Sequence, residues 1–294
     1  MRGLQQVFIP SPYTPTPMKI LLTGADGAIG HHLCGALAAA GHTVTATDIR
    51  QTRPPRTSLQ LCDLLNRESV RTLVAGHEAV LHFGAHAAPG RLEDKTRLYL
   101  ENVTMTAHLV DASIAAGVRK FIFASSIQVA NGALDAGGGR LDNPAPSLPI
   151  DATIPPRPRN LYGLSKQAGE ALLQQAADRH PLDAIALRLP LTLRDDGADL
   201  NRAIANPEKE SKDVLIAILS VEELDRLVEA ILQTPLPGYR CYQPALRRNI
   251  LGLPPHEVWQ RHLAHLPLKD PTRPLNTLVD LSRITAETRW SPAS

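Results

Sequence analysis

From Met18 onward the chain alternates between two hydrophobic periods. Short apolar runs with strand character are each followed by stretches carrying an apolar residue every three or four positions, which predicts successive βαβ units and a parallel sheet. MKILLT (18–23) reads as the first strand. Residues 27–40 place Ile29, Leu33, Leu37 and Ala40 at helical spacing, and Gly41 ends the run. HTVTATD (42–48), SLQLCD (58–63), EAVLHFG (78–84), KFIFASS (120–126) and AIALRLP (184–190) follow as strands two to six, the fourth buried on both faces. Helices are predicted over 69–75, 94–116 and 162–177, the last with Leu164, Ala168, Ala171 and Leu172 along one side.

Between these elements the stretch 130–159 is rich in Gly and Pro and reads as a long loop over one face, a length that usually carries function. Beyond Pro190 regularity falls. A charged loop, helices near 222–232 and 256–265 and a final VDLSRITAETRW segment make a small mixed lobe. Three parts are therefore expected: a disordered proline-rich tail over 1–17, a nucleotide-binding α/β domain over 18–190 and a substrate lobe over 191–294.

Composition narrows the function classes. The 294 residues are 43% hydrophobic and 20% charged, as in globular chains, and the 4% of aromatic residues leaves an aliphatic core. A net charge of +2 provides no footprint for nucleic acid or an anionic membrane. The longest stretch without Asp, Glu, Lys or Arg, 27–47, holds three His and four Gly and is no membrane span. Cys34, Cys62 and Cys241 form no CxxC pair, so neither a metal site nor a disulfide framework is expected, and a cytoplasmic protein is.

Two constellations carry chemistry. Thr23-Gly24-Ala25-Asp26-Gly27-Ala28-Ile29-Gly30 closes the first strand and opens the first helix, the place where backbone N–H groups hold a dinucleotide pyrophosphate. Asp48 ends the second strand, where a carboxylate accepts hydrogen bonds from an adenosine ribose diol and repels a 2′-phosphate, so NAD is expected over NADP; Arg50 and Arg53 soften that preference. Asp63, after the third strand, is either an adenine contact or a helix N-cap. The second constellation is Tyr162-Gly163-Leu164-Ser165-Lys166, which puts a phenol and an ammonium on one helical face, while Ser125-Ser126 supplies a hydroxyl at the end of the fifth strand. An adjacent cation favours phenolate, so the set can accept a proton beside a hydride acceptor.

TGADGAIG (23–30), Asp48, HFGAHAAP (82–89), ENVTMT (101–106), FASSIQVA (123–130) and YGLSK (162–166) occur in an order and spacing that resembles the extended short-chain dehydrogenase/reductases, the NAD-dependent epimerase/dehydratase family. The resemblance covers 18 to about 190. It implies a Rossmann-type doubly wound parallel sheet with a small mixed C-terminal lobe, NAD as cofactor, and Ser126, Tyr162 and Lys166 as the catalytic set, Lys166 also holding the nicotinamide ribose. Ser125 would lie beside the nicotinamide. Gly24, Asp26, Gly27, Ile29, Gly30, Asp48, Asp63, Phe83, Gly84 and Ala85 would line the cofactor, and Asn102 would support it from its helix. A homodimer through the helices at 94–116 and 161–177 is implied as well.

The substrate side departs from the family. Ala130 stands where an aromatic residue is frequent, and Ile127-Gln128 follow the catalytic Ser where uronate dehydrogenases, which are of similar length, have Asn and His. Gln128, His86 and Arg188 are candidate substrate residues beside Ser126. For Arg188 the competing reading is a buried ion pair, and for His82 a packed strand end. His31-His32 diverge on their helix and bind no metal together. Arg202 and the run 208–212 read as solvated surface. The function expected is NAD-dependent oxidation of a secondary alcohol on a sugar or sugar acid with Tyr162 as base. A nucleotide-sugar epimerase that recycles NAD and a non-catalytic NAD sensor are the alternatives.

Overall fold

The computed structural model describes residues 16–86, 94–134, 146–193 and 215–293. The expected tail at 1–17 lies outside them except for its last two residues, as do Ala87 to Pro89 of the HFGAHAAP motif, Arg202 and the 208–212 run.

Seven parallel strands form one sheet: β1 (Lys19–Thr23), β2 (Thr43–Asp48), β3 (Leu59–Leu61), β4 (Ala79–His82), β5 (Lys120–Ser126), β6 (Asp183–Leu189) and β9 (Gly238–Tyr242), in the order β3-β2-β1-β4-β5-β6-β9. Chain order reverses between β1 and β4, which opens a crevice above their carboxyl ends, the doubly wound Rossmann arrangement. Side chains alternate faces as the pleat requires. Ile20, Leu22, Leu81, Ile122 and Leu187 pack beneath α1 (Ala28–Ala39) and α6 (Val221–Gln233). Leu21, Val80, Phe121, Phe123 and Ala186 pack against α2 (Arg67–Val74), α3 (Lys95–Ala115) and α5 (Leu161–Ala177). Every residue of β4 and β5 is buried, because helices cover both faces.

The helix starts are set locally. Asn66, Asp94, Asn160 and Ser220 accept a first-turn N–H at α2, α3, α5 and α6 respectively. Asn66 moves the start of α2 two residues ahead of the periodic signal at Ser69, and Asp63 does not cap it.

The boundary expected at residue 190 does not divide the sheet. Both β9 and α6 come from beyond it, and β9 pairs with β6 from Asp183↔Gly238 to Leu187↔Tyr242. GYRCY carries no clear alternation, so this edge strand gives no periodic signal. Lys120, at the start of β5, anchors the C-terminal end of α6: its Nζ donates to the Ile231 carbonyl at 2.7 Å and to Thr234 O at 2.5 Å. The remaining lobe contains a two-stranded parallel ribbon, β7 (Leu191–Leu193) with β8 (Ile218–Ser220), a helical turn α7 (Pro255–Val258) that widens into a π-helix at Trp259–Leu263, and α8 (Ser282–Thr288).

The stretch read as a loop from 130 onward has order of its own. A 3-10 turn at Ile127–Val129 and a short α4 (Asn131–Leu134) follow β5. Leu148 and Ile150 then bridge to Leu268 and Val279 of the lobe. The segment entering α5 is thereby stitched to the lobe.

Candidate active site

The head of β1 turns at Gly24, whose φ of +77° suits glycine. A Cβ on Gly24 would stand 2.5 Å from the Gly84 nitrogen, and one on Gly30 would stand 2.2 Å from the Gly24 oxygen. The turns after β1 and β4 therefore touch backbone to backbone, with α1 drawn hard against the first. Gly27 caps α1 without a side chain, and the first turn of α1 has no acidic residue. Its open N–H groups and positive dipole end suit a diphosphate, the chemistry a dinucleotide brings to this crevice. Ile29 lies on the same turn, packed on the core, and Phe83, Gly84 and Ala85 form the turn after β4, with Phe83 also against the core.

Asp48 stands at the tip of β2, where its carboxylate accepts from the Asp26 N–H at 3.0 Å and the Ile49 N–H at 2.8 Å. That fastens the glycine turn to the tip of β2. Asp26 was expected to line the cofactor, but its buried carboxylate turns to the 50–53 loop instead. It accepts from Thr52 Oγ1 at 2.6 Å and from the Thr52 and Arg53 N–H groups at 2.9 and 3.0 Å. Burial opposes its ionisation, yet these bonds and the Arg50 charge outweigh it and hold the carboxyl below the usual range. Asp63 is exposed and closes its own turn by accepting from Leu65 N–H at 2.9 Å.

A hydrogen-bonded chain runs beneath the crevice. Gly84 N–H donates to Thr23 Oγ1, which meets His82 Nδ1 at 2.8 Å; His82 Nε2 meets Thr106 Oγ1 at 3.2 Å, and Thr106 donates to the Asn102 carbonyl. His82 is packed between Phe121 and Phe123 and stays neutral, its pKa lowered to about 3 by burial and by the Lys166 charge. It is a strand-end packing residue. Asn102, also buried, clasps the β4 loop by accepting from His86 N–H at 2.8 Å and donating to His86 O and Ser165 Oγ at 3.2 Å.

On the other side, α5 delivers the phenol and ammonium. Asn160 Oδ1 accepts from Gly163 N–H and its Nδ2 donates to Gln128 Oε1 at 2.9 Å, so the start of α5 is pinned to the turn after β5. Lys166 is 4% exposed, with Nζ 4.8 Å from the Phe123 ring centroid and 5.7 Å from that of Tyr162. Desolvation lowers its pKa to about 7. Burial pushes the Tyr162 phenol up to about 12, opposed by a hydrogen bond with Ser126. Ser126 Oγ accepts from the Gln128 N–H at 3.2 Å, which leaves its own proton for the phenol side. Ser126, Tyr162 and Lys166 thus converge at the carboxyl edge of β5.

Two expected residues do not face the crevice. Arg188 is 4% exposed and bidentate on Glu170, with Nε at 3.0 Å and Nη2 at 2.9 Å from the two carboxylate oxygens. It is no substrate ligand, because its remaining Nη1 donates to the Ala152 and Ile154 carbonyls. Ser125 was expected beside the nicotinamide, but its hydroxyl donates to the same Glu170 at 2.6 Å. His86 follows β4, its Nε2 held 2.5 Å from Glu101 on α3, a carboxylate that also accepts from Arg97. Among the described residues no cluster of three His, Cys, Asp or Glu could hold a metal. Sequence reading missed Thr23, Thr106, Asn160 and Glu170. For Glu170 the signal was present: it lies one turn past Lys166 on the inward side of α5.

The model of the NAD dependent epimerase/dehydratase family matches residues 20–193. The chain belongs to this family. It is 31% identical over 230 residues to a uronate dehydrogenase of Pseudomonas syringae pv. tomato, covering 77% of this chain and 74% of the relative. A UDP-glucose 4-epimerase of Azospirillum brasilense is 31% identical over 183 residues, covering 60% of this chain and 49% of the epimerase. The fold matches a short-chain dehydrogenase/reductase superfamily protein from Agrobacterium tumefaciens with bound NAD, at a TM-score of 0.68 and 23% identity over 94% of this chain and 93% of that one. The chain is an enzyme of a family that uses NAD, and the open α1 terminus, the Gly24 turn and Asp48 fit that dinucleotide.

Because Gly24 leaves no space for a methyl group, Gly24→Ala is expected to displace the β4 turn and weaken NAD binding at least about tenfold, the equivalent of about 1.4 kcal/mol. Isothermal titration calorimetry measures it, and an unchanged affinity contradicts the packing described.

Proposed function

We propose that this enzyme oxidises a secondary alcohol of a small sugar or sugar acid, with Tyr162 as base. The observation that carries the proposal is the convergence of Ser126, Tyr162 and Lys166 beside a glycine turn built for a dinucleotide. NAD supplies the hydride acceptor. The Ser126 hydroxyl, oriented by the Gln128 N–H, positions the substrate alcohol against the phenol. Tyr162 takes the alcohol proton. In a low dielectric a neutral phenol and a neutral amine are each favoured alone, but phenolate and ammonium stabilise one another, so Lys166 keeps Tyr162 usable near neutral pH. We assign Gln128 and His86 to the substrate side and Asp48 to the unphosphorylated ribose of NAD.

The sequence relatives bear on the substrate class. Alignment to the uronate dehydrogenase spans 74% of that relative, whereas alignment to the nucleotide-sugar epimerase spans only 49% of it. The more extensive match to the sugar-acid enzyme favours a free sugar acid. The partner side is proposed from the surface: Leu100 on α3 is 56% exposed and Leu164 on α5 is 38% exposed, two large apolar groups on neighbouring helices. A second copy covering them gives a four-helix homodimer.

Three outcomes follow. NAD reduction with a panel of uronates and aldoses should show turnover, and Tyr162→Phe should lower it by about 10²–10⁴-fold; epimers of UDP-sugars formed without net NADH would indicate an epimerase, and tight NAD binding without turnover a sensor. Lys166→Met should abolish activity at neutral pH and return part of it at alkaline pH, because a phenol pushed up to about 12 then ionises without its cation; a pH–rate profile with an unshifted rising limb contradicts this. Leu100→Glu should convert a dimer to a monomer in sedimentation equilibrium, while a monomeric parent protein rules the dimer out.

A further inference from the structure

Glu170 has no part in proton or hydride transfer, yet three hydrogen bonds from the framework of the site meet at its carboxylate. Its Oε1 accepts from Ser125 Oγ at 2.6 Å and Arg188 Nε at 3.0 Å, and its Oε2 accepts from Arg188 Nη2 at 2.9 Å. Arg188 Nη1 continues to Ala152 O at 3.3 Å and Ile154 O at 2.9 Å. Glu170, Arg188 and Ser125 are all buried.

Stability alone does not account for the arrangement. Desolvating both ions offsets much of their attraction, and apolar replacements of similar volume frequently serve a fold as well. What a bidentate pair adds is geometry. One carboxylate ties β5 at the residue before Ser126, α5 one turn past Lys166, β6 at its carboxyl end, and the 152–154 segment that leads into the cap of α5. Ser125 and Ser126 are neighbours on an extended strand, so holding one hydroxyl against Glu170 sets where the other emerges. Tyr162 rides on the helix that carries Glu170.

We propose that Glu170, acting through Ser125 and Arg188, is a positioning residue that sets the Ser126 hydroxyl against the Tyr162 phenol. The proposal rests on the catalytic reading above, and its test separates the two. Ultraviolet difference titration of the NADH-bound protein, with Tyr162→Phe as the blank for the other tyrosines, follows the ionisation of Tyr162 without any substrate. In Glu170→Gln, whose amide nitrogen cannot accept from Arg188, and in Ser125→Ala, which keeps the ion pair, the Tyr162 midpoint is expected to rise by about one pH unit as the hydrogen bond from Ser126 loosens. NADH affinity should stay within about twofold, since the glycine turn is untouched, and oxidation of glucuronate should lose about 10–100-fold in kcat, the scale of a small misplacement of reacting groups.

An unmoved midpoint in folded protein overturns the proposal, as does a midpoint that moves only together with NADH affinity, which marks general loosening of the fold. Should Glu170→Gln fail to fold, Ser125→Ala decides the question alone. Turnover retained in Tyr162→Phe would instead refute the catalytic reading, and the titration would still report whether Glu170 holds the two side chains in register.

Discussion

Two backbone turns in direct contact, Gly24 after β1 and Gly84 after β4, are the constraint on which the crevice depends. No side chain fits between them, and a Cβ on Gly24 would lie 2.5 Å from the Gly84 nitrogen. That closeness lets Thr23 reach the Gly84 N–H and begins the polar chain through His82 and Thr106 to the helix of Asn102. The same contact brings the bare N-terminus of α1 to the point where strand order reverses. An anion-binding helix end and the switch point of a parallel sheet coincide because both turns are small enough to allow it.

Around this contact the protein places ionisable groups where water is scarce. Lys166 lies over aromatic faces, His82 is held neutral, and the Tyr162 phenol is difficult to ionise alone. Such groups are costly as isolated charges but strongly coupled to one another and to whatever charge enters the crevice. The buried Glu170–Arg188 pair belongs to another category. Its charges are satisfied by each other and by backbone carbonyls, so its contribution is to the relative placement of β5, β6, α5 and the lobe.

Interleaving of the two parts of the chain has a consequence for the site. The last strand and α6 come from beyond residue 190, Lys120 of β5 anchors the end of α6, and Leu148 and Ile150 bridge to the lobe. The segment entering α5 is therefore held from both sides, by the lobe through backbone pairing and by the sheet through Arg188. A movement of the lobe would reach Asn160 and Tyr162 through covalent continuity.

The sequence by itself determined the βαβ succession, the first six strands along the chain, the glycine turn and the YxxxK face, because each follows from local spacing: period two, period three to four, and residues four apart on a helix. Local spacing also pointed to Ser125-Ser126 at a strand end and to Tyr162 and Lys166 at a helix start, and the family resemblance singled out Ser126. Only the tertiary structure decided where long side chains turn. The Asp26 carboxylate turns to Thr52, and Arg188 and Ser125 turn inward to Glu170, because a buried carboxylate must find donors and those donors are 26, 18 and 45 residues away in the chain. The seventh strand was hidden for a related reason: an edge strand with four half-buried residues before the buried Tyr242 has no periodicity to read and is recruited by the open edge of β6.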